Sequence, residues 1–343
     1  MNHFNIILPF GIPPKTLAKE MAKQLNMPAL AQLLSLSKKT EHVSFEEYAR
    51  LLPHESLLSG KYLLCDLDNN LQQQADTDER SNSPAITHNT MQVMGKLPSD
   101  GFWFTINPVH IHVASDHLVV TDQRRLAISN EESLTLFNAA KEMCDELGKT
   151  LIYGDAKNWF LRADDWHELK TASLDAASGH NIDIWIAEGD KAKEWRKLQN
   201  EIQMIWHISS INEQRAERGD ALINSVWLHS GSASLNADML PVFYDWKNKE
   251  QASIPHNNLL INDLSEAAMN SDWHTWLMHM QAIDQSTFAP ALAELNSGKI
   301  ETIKLIVTDT HRLVHYHIQR KNPWKFWQNF TQTPSLAALF NIT

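Results

Sequence analysis

Cysteine is almost missing. There are two, Cys65 and Cys144, in 343 residues. They form no Cys-x-x-Cys, and two are too few for a disulfide framework, so a reducing cytoplasm is the expected location. Positive charge is short as well. Thirty Lys and Arg stand against 41 Asp and Glu, a formal net charge of −11. Nucleic-acid binding runs on basic surface, so no nucleic-acid partner is expected. No stretch reaches the roughly 18 consecutive apolar residues that cross a bilayer, so no membrane segment is expected. The opening "MNHFNIILPFGIPPK" has no basic n-region, and Pro9, Gly11, Pro13 and Pro14 break its apolar run. A first strand and turn is expected there rather than a signal peptide. Neither a P-loop nor a G-x-G-x-x-G occurs, which excludes nucleotide enzymes of those types. "HESLLSG" lacks the nucleophile elbow of Ser–His hydrolases. No internal repeat is present.

What is there suits a sizeable core. Apolar residues make up 43% of the chain, and its length allows two domains or one with an insertion. Phe4 to Leu8 predicts a buried strand, and Pro13-Pro14 opens a helix with Leu17, Met21 and Leu25 on one face. Pro28 starts a short helix through Leu34. Ser44 with Glu47 reads as a capping box before a helix over 45–52. Residues 66–100 are polar and poor in pattern, as a loop is. "VHIHVA" (109–114) and "HLVVT" (117–121) alternate around Ser115-Asp116, which predicts a hairpin. Ser129 and Glu132 form a second capping box, and Gly148 ends the helix behind it. "TLIY" and "NWFLR" read as strands. Trp195, Leu198, Ile202 and Ile205 give a helix from about residue 190. "NSVWLH" (224–229) is a strand, Trp273 to Met280 is helical, and "TIKLIVTD" with "LVHYHIQ" forms a hairpin.

Three groups of residues carry potential chemistry. His110 with His112, and His315 with His317, each sit two apart on a strand, so each pair shares a face. Together they offer four imidazoles to a zinc ion, although each pair is also an ordinary polar face of a hairpin. The tail residues Arg320, Lys321, Trp324, Lys325 and Trp327 interleave cations with indoles. They suit an anionic partner, or equally a packed surface with snorkelling Lys stems. The third group is "SSINEQRAERGDALINSVWLHSG" (209–231). Local physics reads it as helix, turn and strand, with Arg215 and Arg218 in the last helical turn and Gly219 past the end.

The combination in that third group goes further. Asn212-x-x-Arg215, then Arg218-Gly219, then Asn224-x-x-Trp227-Leu228 and Gly231, resembles the archaeal-type cofactor-independent phosphoglycerate mutases. There, such a segment closes an inserted domain. "PVHIHVASDHLVVTDQRRLAISNEESLTLFNAAKEM" resembles the start of that insertion, so this part of the match spans roughly 104–232. "LPFGIPP", "LPHESLLSG", "PVHIHV", the 203–231 stretch and the Trp-rich tail are similar to a bacterial group, the RpfE-type regulatory proteins, over most of the chain.

The resemblance implies an α/β fold with an alkaline-phosphatase-like core sheet and helices. That core would be discontinuous, 1–103 and 231–343, with an inserted α+β domain at 104–230. It also implies a ligand-facing role for Asn212, Arg215, Asn224 and Arg218. Enzymes of this superfamily need Asp and His to hold two metals, and a Ser or Thr nucleophile. The first Asp follows the first strand in a Pro-Asp-Gly turn; here the turn is Pro9-Phe10-Gly11. Ser56, Ser59 and Ser81 lack the nucleophile's surroundings, and Asp309 and His311 echo the late Asp-His pair only loosely. The expectation is therefore a non-catalytic regulatory protein without metal cofactor, acting on a small anionic ligand or a protein partner. An active mutase or phosphohydrolase with a rearranged site, and a zinc protein built on the His pairs, are the alternatives.

Overall fold

The structure is a computed structural model that describes residues 3–58, 82–96, 100–234, 258–320 and 336–340. In chain order the first elements are β1 (His3–Leu8), α1 (Lys15–Gln24), α2 (Pro28–Ser35), β2 (Ser37–Ser44), α3 (Pro53–Leu58) and α4 (Thr87–Val93). Next come β3 (Trp103–Val109), β4 (Ile111–Ala114), β5 (His117–Val120), α5 (Asn130–Glu146), β6 (Thr150–Tyr153), β7 (Trp159–Arg162), α6 (Leu174–Ala177), α7 (Ala192–His207), α8 (Ser210–Arg218) and β8 (Ser225–Ser232). The last are β9 (Asn258–Leu260), α9 (Ser265–Met269), α10 (Trp273–Ile283), α11 (Ala289–Ser297), β10 (Thr302–Thr308), β11 (Arg312–Gln319) and α12 (Ala337–Phe340). The protein is a mixed α/β molecule. No helix among the described residues is long and apolar enough to cross a membrane.

The chain divides into two compact units, Met1–Glu46 with Pro241–Thr343, and Glu47–Leu240. The first is built on a five-stranded mixed sheet in the order β2-β11-β10-β1-β9. β1 runs parallel to β10 and β9, while β11 is antiparallel to both β10 and β2. Ile6, Ile7, Leu8, Leu305, Ile306 and Val307 are all sealed from solvent, as expected for parallel strands covered on both faces. Gly11 has no side chain for a packing reason. A Cβ there would come within 2.5 Å of the Val307 side chain. Helix α2 starts at Pro28, which has no amide hydrogen to leave unpaired. The buried Asp284 carboxylate caps that start by accepting from the Ala29 and Leu30 amides.

The second unit has a four-stranded antiparallel sheet, β6-β7-β3-β8, and the separate hairpin β4-β5. Helices α5 and α7 supply its core with Leu136, Phe137, Trp195, Leu198, Ile202 and Trp206 against Phe104, Trp159, Leu161 and Leu228. Trp159 meets Trp206 edge to face at a centroid distance of 5.8 Å, a favoured aromatic geometry. Both buried indole N–H groups find acceptors, Ser133 Oγ and the Leu136 carbonyl.

One difference from the sequence reading has a physical cause. Ser37 to Ser44 is a strand, and no helix follows Ser44. Its neighbour β11 supplies a hydrogen-bonding edge, and the next backbone amide, of Phe45, donates to the His311 carbonyl instead of entering a helix. By contact the two units divide between Glu46 and Glu47 and between Leu240 and Pro241, and the expected insertion, 104–230, lies inside the second. Residues 50–58 belong with the second unit through polar contacts. The Arg50 guanidinium donates to the Ile186 carbonyl and pairs with Glu188, and Ser173 Oγ donates to Glu55.

Candidate functional site

The turn after β1 is where the resemblance would put a metal-binding Asp. Phe10 stands there with φ 55° and 4% exposure. Positive φ is uncommon for a residue with a bulky side chain, and the Phe10 carbonyl is held by the Trp276 indole N–H at 2.8 Å. Trp276 itself is fully buried. Beside it, at the end of the parallel neighbour β10, Asp309 turns its carboxylate onto its own loop. It accepts from the His311 and Arg312 amides and forms an ion pair with the Arg312 guanidinium. The two strand ends thus carry an apolar side chain and a carboxylate already engaged by its neighbours.

The Asn-x-x-Arg stretch is a joint between α8 and β8. Asn212 donates to the Trp206 and Ile223 carbonyls and accepts from the Ile223 amide. Arg215 is 1% exposed. It donates to the Ala221 and Ala127 carbonyls and to Glu132. The Asn224 side-chain amide accepts from the Ile111 amide through Oδ1 and donates to the Ile111 carbonyl through Nδ2. Arg218 is exposed and bridges Glu132 and Asp220. Glu132 also closes the capping box of α5, and its carboxyl is held below the usual range despite burial, by the Ser129 amide and the two arginines. Gly219 supplies the left-handed residue that ends α8, at φ 76°. These contacts engage Asn212, Arg215 and Arg218 in holding α8 to α5 and to the approach to β8, and Asn224 in holding the start of β8 to β4.

The His pairs separate by unit. In the second unit, His110 and His112 stack at 5.5 Å. His110 Nδ1 is 2.8 Å from the Leu222 carbonyl, and His112 Nδ1 is 3.2 Å from Thr121 Oγ1. In the first unit, His315 and His317 lie with their rings 4.0 Å apart, facing Glu41 across the β2–β11 ladder. Glu41 was not singled out from sequence because β2 itself was not foreseen. In the basic tail, Arg320 is exposed at the end of the described β11 segment. Lys321, Trp324, Lys325 and Trp327 lie outside the described residues, as do Ser59, Ser81 and Cys65. Cys144 is sealed in the second core, where burial pushes its thiol up to about 12.

A cluster that sequence reading missed lies in the second unit. His54, Glu55 and Asp175 bring donor atoms within 4.8 Å of one another. Arg124 grips Asp175 with both guanidinium nitrogens at 3.0–3.1 Å and also pairs with Asp122. Burial, reinforced by Asp175, pushes the Glu55 carboxyl up to about 8, so it is neutral near pH 7. Its Oε2 accepts from the Leu52 amide and from Ser173 Oγ. Burial and the Arg124 charge push His54 down to about 3, and burial holds His229 at about 4. His229 lies 2.5 Å from Asn107 Oδ1 through Nε2. Nearby, Ser232 Oγ sits 2.7 Å from His88 Nδ1, yet both residues are buried and the contact fastens α4 to β8. With Asp175 committed to Arg124 and Glu55 neutral, this cluster is a buried polar keystone rather than a cation cradle. The only sequence signal was "PHES", whose Glu caps the helix start.

No family model matches the chain, and no curated protein matches it. Solved structures similar to it include a cofactor-independent phosphoglycerate mutase from Thermoplasma acidophilum. That likeness covers 92% of this chain and 90% of the other, at 14% identity and a TM-score of 0.37. Another is the PH0037 protein from Pyrococcus horikoshii, at 10% identity and a TM-score of 0.50, covering 93% of this chain and 87% of that one. At 10% identity and a TM-score of 0.50, the second likeness is one of fold alone.

Proposed function

We propose that this protein is a non-catalytic regulatory relative of the cofactor-independent phosphoglycerate mutases. It would have an alkaline-phosphatase-like core, and it would act in the cytoplasm by binding a small anionic ligand or a protein partner. The observation that carries this reading is the turn after β1. The Phe10 side chain brings no lone pair to a metal, the residue is 4% exposed, and Trp276 holds its carbonyl. Metal-assisted phosphoryl transfer needs charge held where charge develops, and an apolar side chain supplies none. Asp309, on the adjacent strand end, is neutralised by Arg312. The regulatory part of the reading rests on the sequence resemblance to the RpfE-type proteins.

The test is an assay of the purified full chain for interconversion of 2- and 3-phosphoglycerate and for hydrolysis of p-nitrophenyl phosphate, with Mn2+, Mg2+ or Zn2+ added. The expected rates equal the protein-free background with every metal. Turnover that scales with protein, needs metal and falls on Asp309→Asn would instead establish the rearranged enzyme.

A further inference from the structure

We propose that Glu41, His315 and His317 form a Zn2+ site on one face of the five-stranded sheet, with the fourth position open to water or a ligand donor. It is separate from the strand-end position occupied by Phe10, and it does not depend on whether the protein is catalytic.

The sheet register assembles the three ligands. In the antiparallel β2–β11 pair, His315 lies directly opposite Glu41, and His317 lies opposite Lys39. Residues two apart on a strand share a face, so His315, His317, Glu41 and Lys39 all point to one side. The register shifts between His317 and Ile318, and such bulges re-aim neighbouring side chains. Glu41 Oε2 is 3.5 Å from His315 Nδ1 and 3.6 Å from His317 Nε2. Donor atoms of all three lie within 4.8 Å of one another. A tetrahedral zinc with bonds of about 2.0–2.1 Å sets its donors about 3.3–3.4 Å apart. Shifts of a few tenths of an ångström bring the two carboxylate–imidazole spacings to that value, and the imidazoles close on each other by rotamer adjustment.

The second observation is His315 itself. It is fully buried, and neither ring nitrogen has a hydrogen-bond partner. A buried polar group left unpaired is costly, and a metal bond satisfies one of those nitrogens. Lys39 pairs with Glu41 Oε1, which leaves Oε2 turned to the imidazoles and fixes the carboxylate's orientation, as outer partners of metal ligands do. His317 and Glu41 are each partly exposed, which gives the ion a route in. Two imidazoles and one carboxylate suit zinc, with its preference for nitrogen and its tolerance of three protein ligands. Lys304 faces the same side, opposite His317 on β10, and its charge opposes the cation.

The experiment uses the full chain, stripped with chelator and dialysed, then titrated with Co2+ and read by the visible absorption of tetrahedral cobalt, with Zn2+ as competitor. The expected result is one Co2+ per chain, displaced by Zn2+. His317→Ala and Glu41→Gln should each weaken binding at least tenfold, His110→Ala should leave it unchanged, and Lys304→Met should tighten it severalfold. Circular dichroism checks that each variant is folded. No cobalt spectrum with folded wild type, binding that survives both ligand variants, or binding lost in His110→Ala would each overturn the site. Metal binding without turnover leaves the non-catalytic reading intact, and turnover without cobalt at these residues overturns only that reading.

Discussion

At the scale of residues, Arg215 and Arg218 show how far one motif can be read. Both occupy the last turn of α8, where sequence put them, and both contact Glu132. Sequence could not say which was buried, because Glu132 of α5 lies 83 residues away from Arg215 and 86 from Arg218. Arg215 is 1% exposed and Arg218 about half exposed at its side chain. The two should therefore behave differently. Arg215→Ala leaves the Ala127 and Ala221 carbonyls and Glu132 short of a donor, and removing one partner of a buried pair costs about 3–5 kcal/mol. Arg218→Ala removes a solvent-screened pair and should cost under about 1 kcal/mol. Urea unfolding of both variants measures this. Equal, small losses would show that Arg215 does not clamp the joint.

At the scale of elements, helices with local signals were legible. The Ser129–Glu132 box starts α5, and the periodic apolar face of α7 is the buried face. Hairpin β4–β5 turns at Ser115 with φ 59°. Elements fixed by distant partners were not legible. β2 has a polar outer face and exists because β11 offers it an edge, while α3 is held by Glu55 and Ser173 rather than by propensity. The docking of α3 makes stability depend on pH in a stated direction. Glu55 has a raised folded value, about 8, so between about 4.5 and 8 the folded state binds the extra proton and stability falls as pH rises. His54 and His229 are lowered, to about 3 and 4, so the unfolded state binds more protons up to about 6.5 and stability rises with pH there. Two histidines outweigh one carboxyl below about 6.5, and only the carboxyl acts above it. The second unit should be most stable near pH 6.5 and lose stability toward pH 8. Melting temperatures across pH 5–9 test this, and in Glu55→Gln the alkaline decline should flatten. An unchanged alkaline slope in that variant would remove Glu55 as its source.

At the scale of the whole molecule, the α/β class was legible because parallel-sheet strands such as Ile6–Leu8 and Leu305–Val307 are continuous apolar runs. The contact units were not legible, because compactness depends on which segments share contacts, and composition along the chain does not report that. Sequence puts Arg50 in a helix over 45–52, gives Glu55 no element and puts Ser83 in a loop. In space, each bonds to the 171–188 stretch of the second unit. The contact boundary and the expected 104–230 insertion make different predictions about independent folding. The second unit has its own core, Phe104 to Leu228, with paired indoles and its own four-stranded sheet. A fragment of residues 47–240 keeps Arg50 and Glu55 with their partners, whereas a fragment of 104–230 removes them and strips Ser173, Glu188 and Thr171 of theirs. Both fragments retain the core from Phe104 to Leu228, but the shorter one also loses the buried Leu51, Leu52, Leu57, Met91 and Trp103, so the comparison tests the whole fastening supplied by 47–58 and 82–103, apolar and polar. Losing several buried hydrogen bonds at about 1 kcal/mol each, plus the desolvation cost of the groups left unpaired, should take much of a domain's marginal stability. The longer fragment should unfold in a single cooperative transition with the near-ultraviolet signal of fixed tryptophans. The shorter one should melt at a lower temperature or lose cooperativity. Equal stability of the two would return the boundary to 103/104.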